Sequence, residues 1–340
     1  AQDRALACLR RFGQRLIGLP PSRVRAVATN TFRDAANAEK LRAAGQKALG
    51  HPIEILSGRE EARLIYGGVS HITSTMDRRL VLDIGGGSTE IIVGEGFHPR
   101  LMFSLAMGCV NLSRRFFPDG ALDRQYFRNA QTVAALELQN AERHIKNTWD
   151  TAVGSSGTVH AAAEVLRQER GEDRITLIGL KKVRKSMVRA GHVEGVRLAG
   201  LKPERIPVFA GGLAILIEAF KRLNLESMTF SRGALREGVL YDLVGRIRHE
   251  DVRDRTIRRL EKQYHIDVLH AGRVANTALD LLNQAWEDGA PDTEEARRYL
   301  TWGARLHEMG LLISYSRFHR HGAYLVANSD MPGFSEDDQR

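Results

Sequence analysis

Residues 80–93 read Leu-Val-Leu-Asp-Ile-Gly-Gly-Gly-Ser-Thr-Glu-Ile-Ile-Val, and this stretch limits the possible folds more than any other. Two short apolar runs flank three successive glycines. Such runs, bounded by turn residues, read as buried strands. The glycines supply backbone angles closed to other residues, so the chain can reverse between Leu80–Ile84 and Glu90–Val93. With Leu101–Leu105 as a third strand, the pattern predicts an antiparallel meander.

The same turn carries chemistry. Gly85, Gly86 and Gly87 can point their N–H groups into an anion-binding concavity, and Ser88 and Thr89 add hydroxyl donors. Asp83 and Glu90 flank the turn with carboxylates. Carboxylates beside a phosphate site usually mean a divalent cation, because Mg²⁺ is held by one or two of them together with phosphate oxygens. The turn lacks the lysine of a P-loop, and it opens a strand where a dinucleotide-binding loop would open a helix.

A second such segment, Val153-Gly154-Ser155-Ser156-Gly157-Thr158, follows the short strand candidate Thr151–Val153 and precedes a helical pattern, Val159–Leu166. By itself it is an ordinary helix cap. Paired with the first turn it reads as a second phosphate loop, with a helix dipole behind it. Two further sites are weaker on their own. Glu60 and Glu61 in the first turn of a helix read as dipole partners, although phosphoanhydride hydrolysis needs one carboxylate to direct water. Arg33 closes the polar stretch Thr29-Asn30-Thr31-Phe32-Arg33 after the strand candidate Val24–Ala28. It is either a surface arginine or a bidentate phosphate ligand.

Around these segments the chain alternates. Residues 3–17 and 37–49 have helical spacing, and 51–56 reads as a strand. This βαβα rhythm predicts an α/β fold. After about residue 245 the charged segment His249–Arg259 opens a region with helical patterns only, running to Asn328. At 340 residues the chain needs two or three domains. Its two cysteines, Cys8 and Cys109, cannot build a disulfide framework. No apolar run reaches the ~18–20 residues of a membrane span. The net charge of +9 suits a polyanionic partner, but the basic residues look scattered along the chain and form no block.

Taken together and in order, ATNTFRDAANA, PIEILSGREEARLIYGGV, VLDIGGGSTEIIVG, MGCV, VGSSGTVHAAAEVL, GLAILIEAF, GALREGVLY, LHEMGL and HRHGAYLVANSDMPGF resemble the exopolyphosphatase/guanosine pentaphosphatase family over essentially the whole chain. The resemblance implies an actin-like (ribonuclease H-like) ATPase superfold of two lobes, residues 1–63 and 64–245. An all-α domain distantly like the HD phosphohydrolases would follow at 246–340. It implies that Glu61 activates the attacking water and that Asp83 and Glu90 hold Mg²⁺ or Mn²⁺. Arg33, Gly85, Gly86, Gly87, Ser88 and Thr89, with Gly154, Ser155, Ser156 and Gly157, would bind the phosphates. The family's opening D-x-G-S-N-S loop has no counterpart here, so the reading expects a fragment of weak activity. His307, Glu308, His319 and His321 are residue types that can hold a metal, but Glu308 stands where an HD enzyme has aspartate, and a structural or binding role is expected.

The implied substrates are inorganic polyphosphate or guanosine pentaphosphate. The GGGSTE form of the loop, the YHID and FHRHGAYL stretches and the positive charge lean towards polyphosphate. A non-catalytic binder of either anion and a kinase on the same superfold are the rival readings; no nucleic-acid reader motif is present. By resemblance the protein would be a cytoplasmic homodimer, with peripheral attachment at the inner membrane face as a possible addition.

Overall fold

The computed structural model describes residues 2–34, 37–73, 76–247, 251–285 and 293–340. Ala35 and Ala36 of the ATNTFRDAANA stretch, His249 of the charged segment and residues 286–292 of the expected helical region lie outside the described residues. The chain divides into two compact units, 1–243 and 244–340.

In the first unit the chain runs through α1 (Gln2–Leu16), β1 (Ala26–Ala28), α2 (Asn30–Asp34), α3 (Ala38–Leu49), β2 (Ile53–Ile55) and α4 (Gly58–Thr73). The meander follows as β3 (Arg78–Ile84), β4 (Thr89–Glu95) and β5 (His98–Leu105). Then come α5 (Cys109–Phe116), α6 (Arg124–Ile145), β6 (Thr151–Ser155), α7 (Ser156–Arg170), α8 (Leu177–Ala190), α9 (Ile206–Arg222), β7 (Thr229–Phe230) and α10 (Leu235–Ile247). The larger sheet has the order β5-β4-β3-β6-β7. Its meander pairs are antiparallel, and β3–β6 and β6–β7 are parallel. Strands β1 and β2 form a separate parallel pair.

Strand β3 is buried on both faces from Arg79 onwards, which is why Leu80, Val81 and Leu82 follow one another with no polar residue between them. Leu80, Leu82 and Ile84 join the large core with α5, α6, α7, α8 and α9. Helix α9 lies deepest: every residue from Phe209 to Phe220 is buried. Val81, pointing the other way, joins Ile92 and Val153 against Ala62, Ile65, Tyr66 and Val69 of α4. The alternation of side chains along a strand therefore sends Asp83 and Glu90 towards α4, and this single fact positions the site.

The β1–β2 pair is held differently. Its apolar cluster is small, Ala28, Leu49 and Ile53, with Leu9, Leu16, Ala26 and Phe32 half-buried against it. Helix α1 forms over nearly the predicted residues but buries none of them, and Phe12 is 54% exposed. Charge does part of the work here. Arg25 bonds Glu54 on β2 at 3.0 Å and Asp242 on α10 at 2.6 Å. Asp242 also takes Arg63 of α4 at 2.5 Å, and Arg63 returns to Glu60 at 2.7 Å. The Arg25 and Asp242 side chains are only 2% and 7% exposed.

In the second unit α11 (Val252–Gln263), α12 (Val268–Ala285), α13 (Thr293–Leu306) and α14 (Phe318–Asn328) enclose Ile257, Leu260, Trp302, Leu306, Met309 and Phe334. Buried Arg253 pairs with Asp251 at 2.8 Å and stacks on Trp302, its Cζ 4.6 Å from the ring centroid. No helix among the described residues is long and apolar enough to cross a membrane.

Removing Asp242 would take one of two acidic partners from each of two guanidinium groups, leaving Arg25 with Glu54 and Arg63 with Glu60. Asp242→Ala is expected to cost about 1.5–3 kcal/mol, the usual scale for losing a hydrogen bond to a charged group. Urea unfolding of wild type and variant measures it, and equal midpoints would show that the network adds no stability.

Candidate active site

Strand register lines up four polar side chains across the large sheet. Asp83 lies opposite Glu90, Glu90 opposite Ser104, and Asp83, on its other side, opposite Ser155. A hydroxyl closes each end of the row. Ser104 Oγ donates to Glu90 Oε1 at 2.8 Å, and Ser155 Oγ donates to Asp83 Oδ2. All but Ser104 are under 9% exposed.

Helix α4 begins above this row. Ser57 Oγ accepts the Glu60 N–H at 3.2 Å, the expected helix cap. Its two adjacent glutamates then diverge, because successive residues on a helix point about 100° apart. Glu60 turns to Arg63, with bonds of 2.7 and 2.8 Å, and so into the Asp242 network. Glu61 turns to the row and meets Arg33, whose Nη1 and Nη2 donate to Oε2 at 3.3 and 3.4 Å. Arg33 also donates to the Leu56 carbonyl. The polar tail predicted after β1 is thus a helix: Thr29 O accepts the Phe32 and Arg33 N–H groups, and α2 delivers Arg33 to Glu61. Thr29 and Asn30 are helix-starting residue types, so the signal for α2 is present in the sequence.

Three buried carboxylates, Glu61, Asp83 and Glu90, share this space, and their acidity responds. Burial pushes Asp83 up to about 6, against the opposing Ser155 hydrogen bond. Burial, then the neighbouring charges of Glu61 and Asp83, push Glu90 up to about 8. Glu61 is also raised, by burial, with Arg33 opposing. Hard oxygen donors with unneutralised like charge suit Mg²⁺ or Mn²⁺. They do not form a closed cage. Among the described residues, the one group of three or more potential ligands whose atoms all lie within 4.8 Å of one another is elsewhere. An ion here would need water or phosphate oxygens as well, as Mg²⁺ commonly does.

The first glycine turn closes with Gly85 N–H donating to Ser88 O at 2.9 Å. The Gly85 and Gly86 carbonyls accept from Cys109 and Val110 at the start of α5. This turns carbonyls away and leaves the N–H groups of Gly86, Gly87 and Ser88 without an acceptor among the described hydrogen bonds. Thr89 is a different case. It points to the opposite face from Glu90, and its hydroxyl donates to Met107 O at 2.7 Å. Gly87 sits so close to Asn30 that a Cβ would lie 1.9 Å from its Oδ1.

The second turn is tighter than its sequence suggests. Strand β6 runs through Gly154 and Ser155, and α7 starts at Ser156 with no residue between. Ser156 takes the reversal with φ +81°, rare for a residue with a side chain and a mark of local strain. Its Oγ accepts the Ile84 N–H at 3.2 Å, joining the two turns. Gly157 opens the helix under Arg205, whose Cζ would be 2.2 Å from a Cβ there. Arg205 is exposed and has no carboxylate partner among the described residues. Neither Arg205 nor Asn30 was singled out from sequence; nothing in the chain order links residue 205 to the turn at 157.

In the second unit His307 and Glu308 do meet a third potential ligand, but it is His270. His270 Nε2 and His307 Nε2 lie 3.6 and 3.9 Å from Glu308 Oε1. His319 and His321, on α14, are not in this group.

A carboxyl whose pKa is raised by folding binds its proton more tightly in the native state. Stability is then fullest below the unfolded value, near 4.5 for Glu90, and falls as pH rises towards about 8. In a chelator the melting temperature should drop between pH 5 and pH 8, and Glu90→Gln should flatten that slope. An unchanged slope in the variant would mean that Glu90 is not held protonated.

The Ppx/GppA phosphatase family matches residues 1–247, and domain III of the same family matches 252–340. A Vibrio cholerae protein, guanosine-5'-triphosphate,3'-diphosphate pyrophosphatase, is 41% identical over 336 residues, covering 98% of this chain and 68% of that protein. An exopolyphosphatase from Cytophaga hutchinsonii superposes with a TM-score of 0.63 at 27% identity, over 72% of this chain and 82% of that one. The Aquifex aeolicus PPX-GPPA enzyme does so with a TM-score of 0.58 at 26% identity, over 70% and 81%. The two-sided sheet with its glycine turns is accordingly the actin-like ATPase fold, followed by a helical part. Its turns, its carboxylate row and its helical second unit all fall within these matches, and the chain belongs to the Ppx/GppA phosphatase family, hydrolases of phosphoanhydride bonds.

Proposed function

We propose that this protein removes the terminal phosphoryl group from a chain of phosphates, with inorganic polyphosphate as substrate. The observation that carries the hydrolytic reading is the buried carboxylate set Glu61, Asp83 and Glu90 beside two turns with N–H groups to spare. In this reading the Gly86, Gly87 and Ser88 amides and the α7 N-terminus hold the terminal phosphate oxygens. Arg205, over that helix end, adds a fixed positive charge. Asp83 and Glu90 hold a divalent cation, which when bound neutralises charge on the transferring group. Ser104 and Ser155 keep the two carboxylates oriented.

Glu61 directs the attacking water. Arg33 holds it in place, while its raised pKa leaves it basic enough to accept a proton as the P–O bond forms. Water adds to phosphorus, the shortened phosphate chain leaves, and orthophosphate is released. The Gly87 form of the loop and the charge of +9 favour a long inorganic polyanion. The Vibrio cholerae relative favours the second reading, guanosine pentaphosphate as substrate.

Phosphate release from long-chain polyphosphate and from guanosine pentaphosphate, measured side by side with Mg²⁺, tests the assignment. Faster release from polyphosphate is expected; release from the nucleotide alone would move the protein to the second reading. Glu61→Gln should lower kcat by about 10²–10⁴-fold with binding intact, whereas Glu60→Gln should retain turnover despite a loss of stability. A Glu61→Gln enzyme with normal kcat would remove Glu61 from the chemistry. Arg205→Ala should lower kcat/KM by about tenfold or more, as loss of one charged phosphate contact does; no change would leave Arg205 a surface residue.

A further inference from the structure

The fold gathers basic residues that look scattered in the sequence. One face of α8 presents Lys181, Arg184, Lys185 and Arg189, at helical spacings of three and four residues. One face of α6 presents Arg124 and Arg128. The two faces line one cavity of about 510 Å³, floored by Phe127 and Val188. No carboxylate lines it. The nearest acid in sequence, Asp123, caps α6 through the Gln125 N–H at 2.5 Å.

Such an arrangement is unfavourable in an empty groove. Lys181 with Lys185, Lys185 with Arg189, and Arg124 with Arg128 are like charges four residues apart, which weaken a helix. A face that merely faces solvent is usually laced with acids, yet α8 carries five Lys or Arg residues, Lys182 included, and no Asp or Glu. Arg124, Arg128, Lys181, Lys185 and Arg189 have no ionic partner among the described residues. Arg184 alone is tied down, donating to Gln131 at 2.9 Å. Gln131 is in turn bonded to buried Glu218 at 2.8 Å. The groove is therefore built around one anchored guanidinium with five cations about it that have no ionic partner among the described residues.

We propose that this groove is a binding site for a condensed-phosphate chain, separate from the residues assigned to hydrolysis. Six cations along two rods match a ligand with one negative charge per repeating unit. The ligand class follows from charge density and the lack of a stacking surface. Phe127 is 1% exposed, so no aromatic face is offered to a base, and single-stranded nucleic acid normally needs one. Naming the ligand as a phosphate chain leans on the hydrolase reading above; the existence of an anion site here does not. A chain held in the groove would keep a long substrate on the protein between successive cleavages.

The test is binding of long-chain polyphosphate to the full chain in chelator, where turnover is suppressed, at several salt concentrations. Lys181→Glu/Lys185→Glu should weaken binding at least tenfold and make its salt dependence shallower, because fewer counterions are released. Arg124→Gln/Arg128→Gln, which changes the other helix, should act in the same direction. In turnover, both variants should raise KM for long chains and leave inorganic tripolyphosphate unaffected. Equal binding and equal salt dependence in both variants would overturn the proposal. So would tighter binding of a single-stranded oligonucleotide of equal charge. If wild type binds polyphosphate through these residues but releases no phosphate from any substrate, the groove stands and the hydrolytic reading falls; the reverse result separates them in the other direction.

Discussion

The structure depends on two acids that cannot comfortably be neighbours. Asp83 and Glu90 are set side by side by strand pairing, in a sheet whose surrounding positions are Leu, Ile and Val. Burial disfavours both charges, and each disfavours the other. The sheet tolerates them because serines on the flanking strands supply a hydrogen bond to each, and because the turn beyond them exposes donors and not carbonyls. Much of what lies around the row serves this arrangement. The start of α5 takes the turn's carbonyls, α2 brings a guanidinium, and α4 brings the third carboxylate. A pocket so prepared is short of positive charge at its carboxylates, which a cation would answer, and short of acceptors at its amides, which a phosphate oxygen would answer.

How much of this could be read from the residues alone varies with distance along the chain. The meander was legible because its information is local: apolar runs of strand length, a glycine-marked turn between them, and residues 83 and 90 placed opposite by that turn, although none of the three glycines adopts a positive φ and the closest packing is that of Gly87 on Asn30. The second turn was legible as a site but not in shape. Its residues suggested a loop, whereas the strand and helix meet directly at Ser156, since hydrogen bonding to Ile84 compensates an unfavourable φ. The separation of Glu60 from Glu61 was visible only through the family resemblance. Composition at a helix start says nothing about which of two glutamates faces the sheet. Arg205 and Asn30 were not legible, for they reach the turns from elements far away in sequence.

The basic residues show the same limit in another form. Counted along the chain, Arg124, Arg128, Lys181, Lys185 and Arg189 are ordinary members of an Arg-rich surface. They become a feature only when α6 and α8 both pack on α9. Charge patterning in sequence detects blocks, and helical packing makes blocks out of residues sixty positions apart. The helical second unit is a parallel case. Its histidines suggested a cluster with their sequence neighbours, and the partner that meets His307 and Glu308 comes from α12 instead.

The fates of Glu60 and Glu61 make the first turn of α4 a matter of phase. One side chain is locked to Arg63, and through it to Asp242, and the other faces the carboxylate row, with one step along the chain separating the two roles. Inserting or deleting one residue between Ser57 and Glu60 would leave composition, charge and helix propensity nearly untouched, yet it would rotate the wrong acid into each place. Helix α4 can therefore accept almost no change of length at its start. Relatives that share this chemistry should differ there by replacement and hardly ever by a gap.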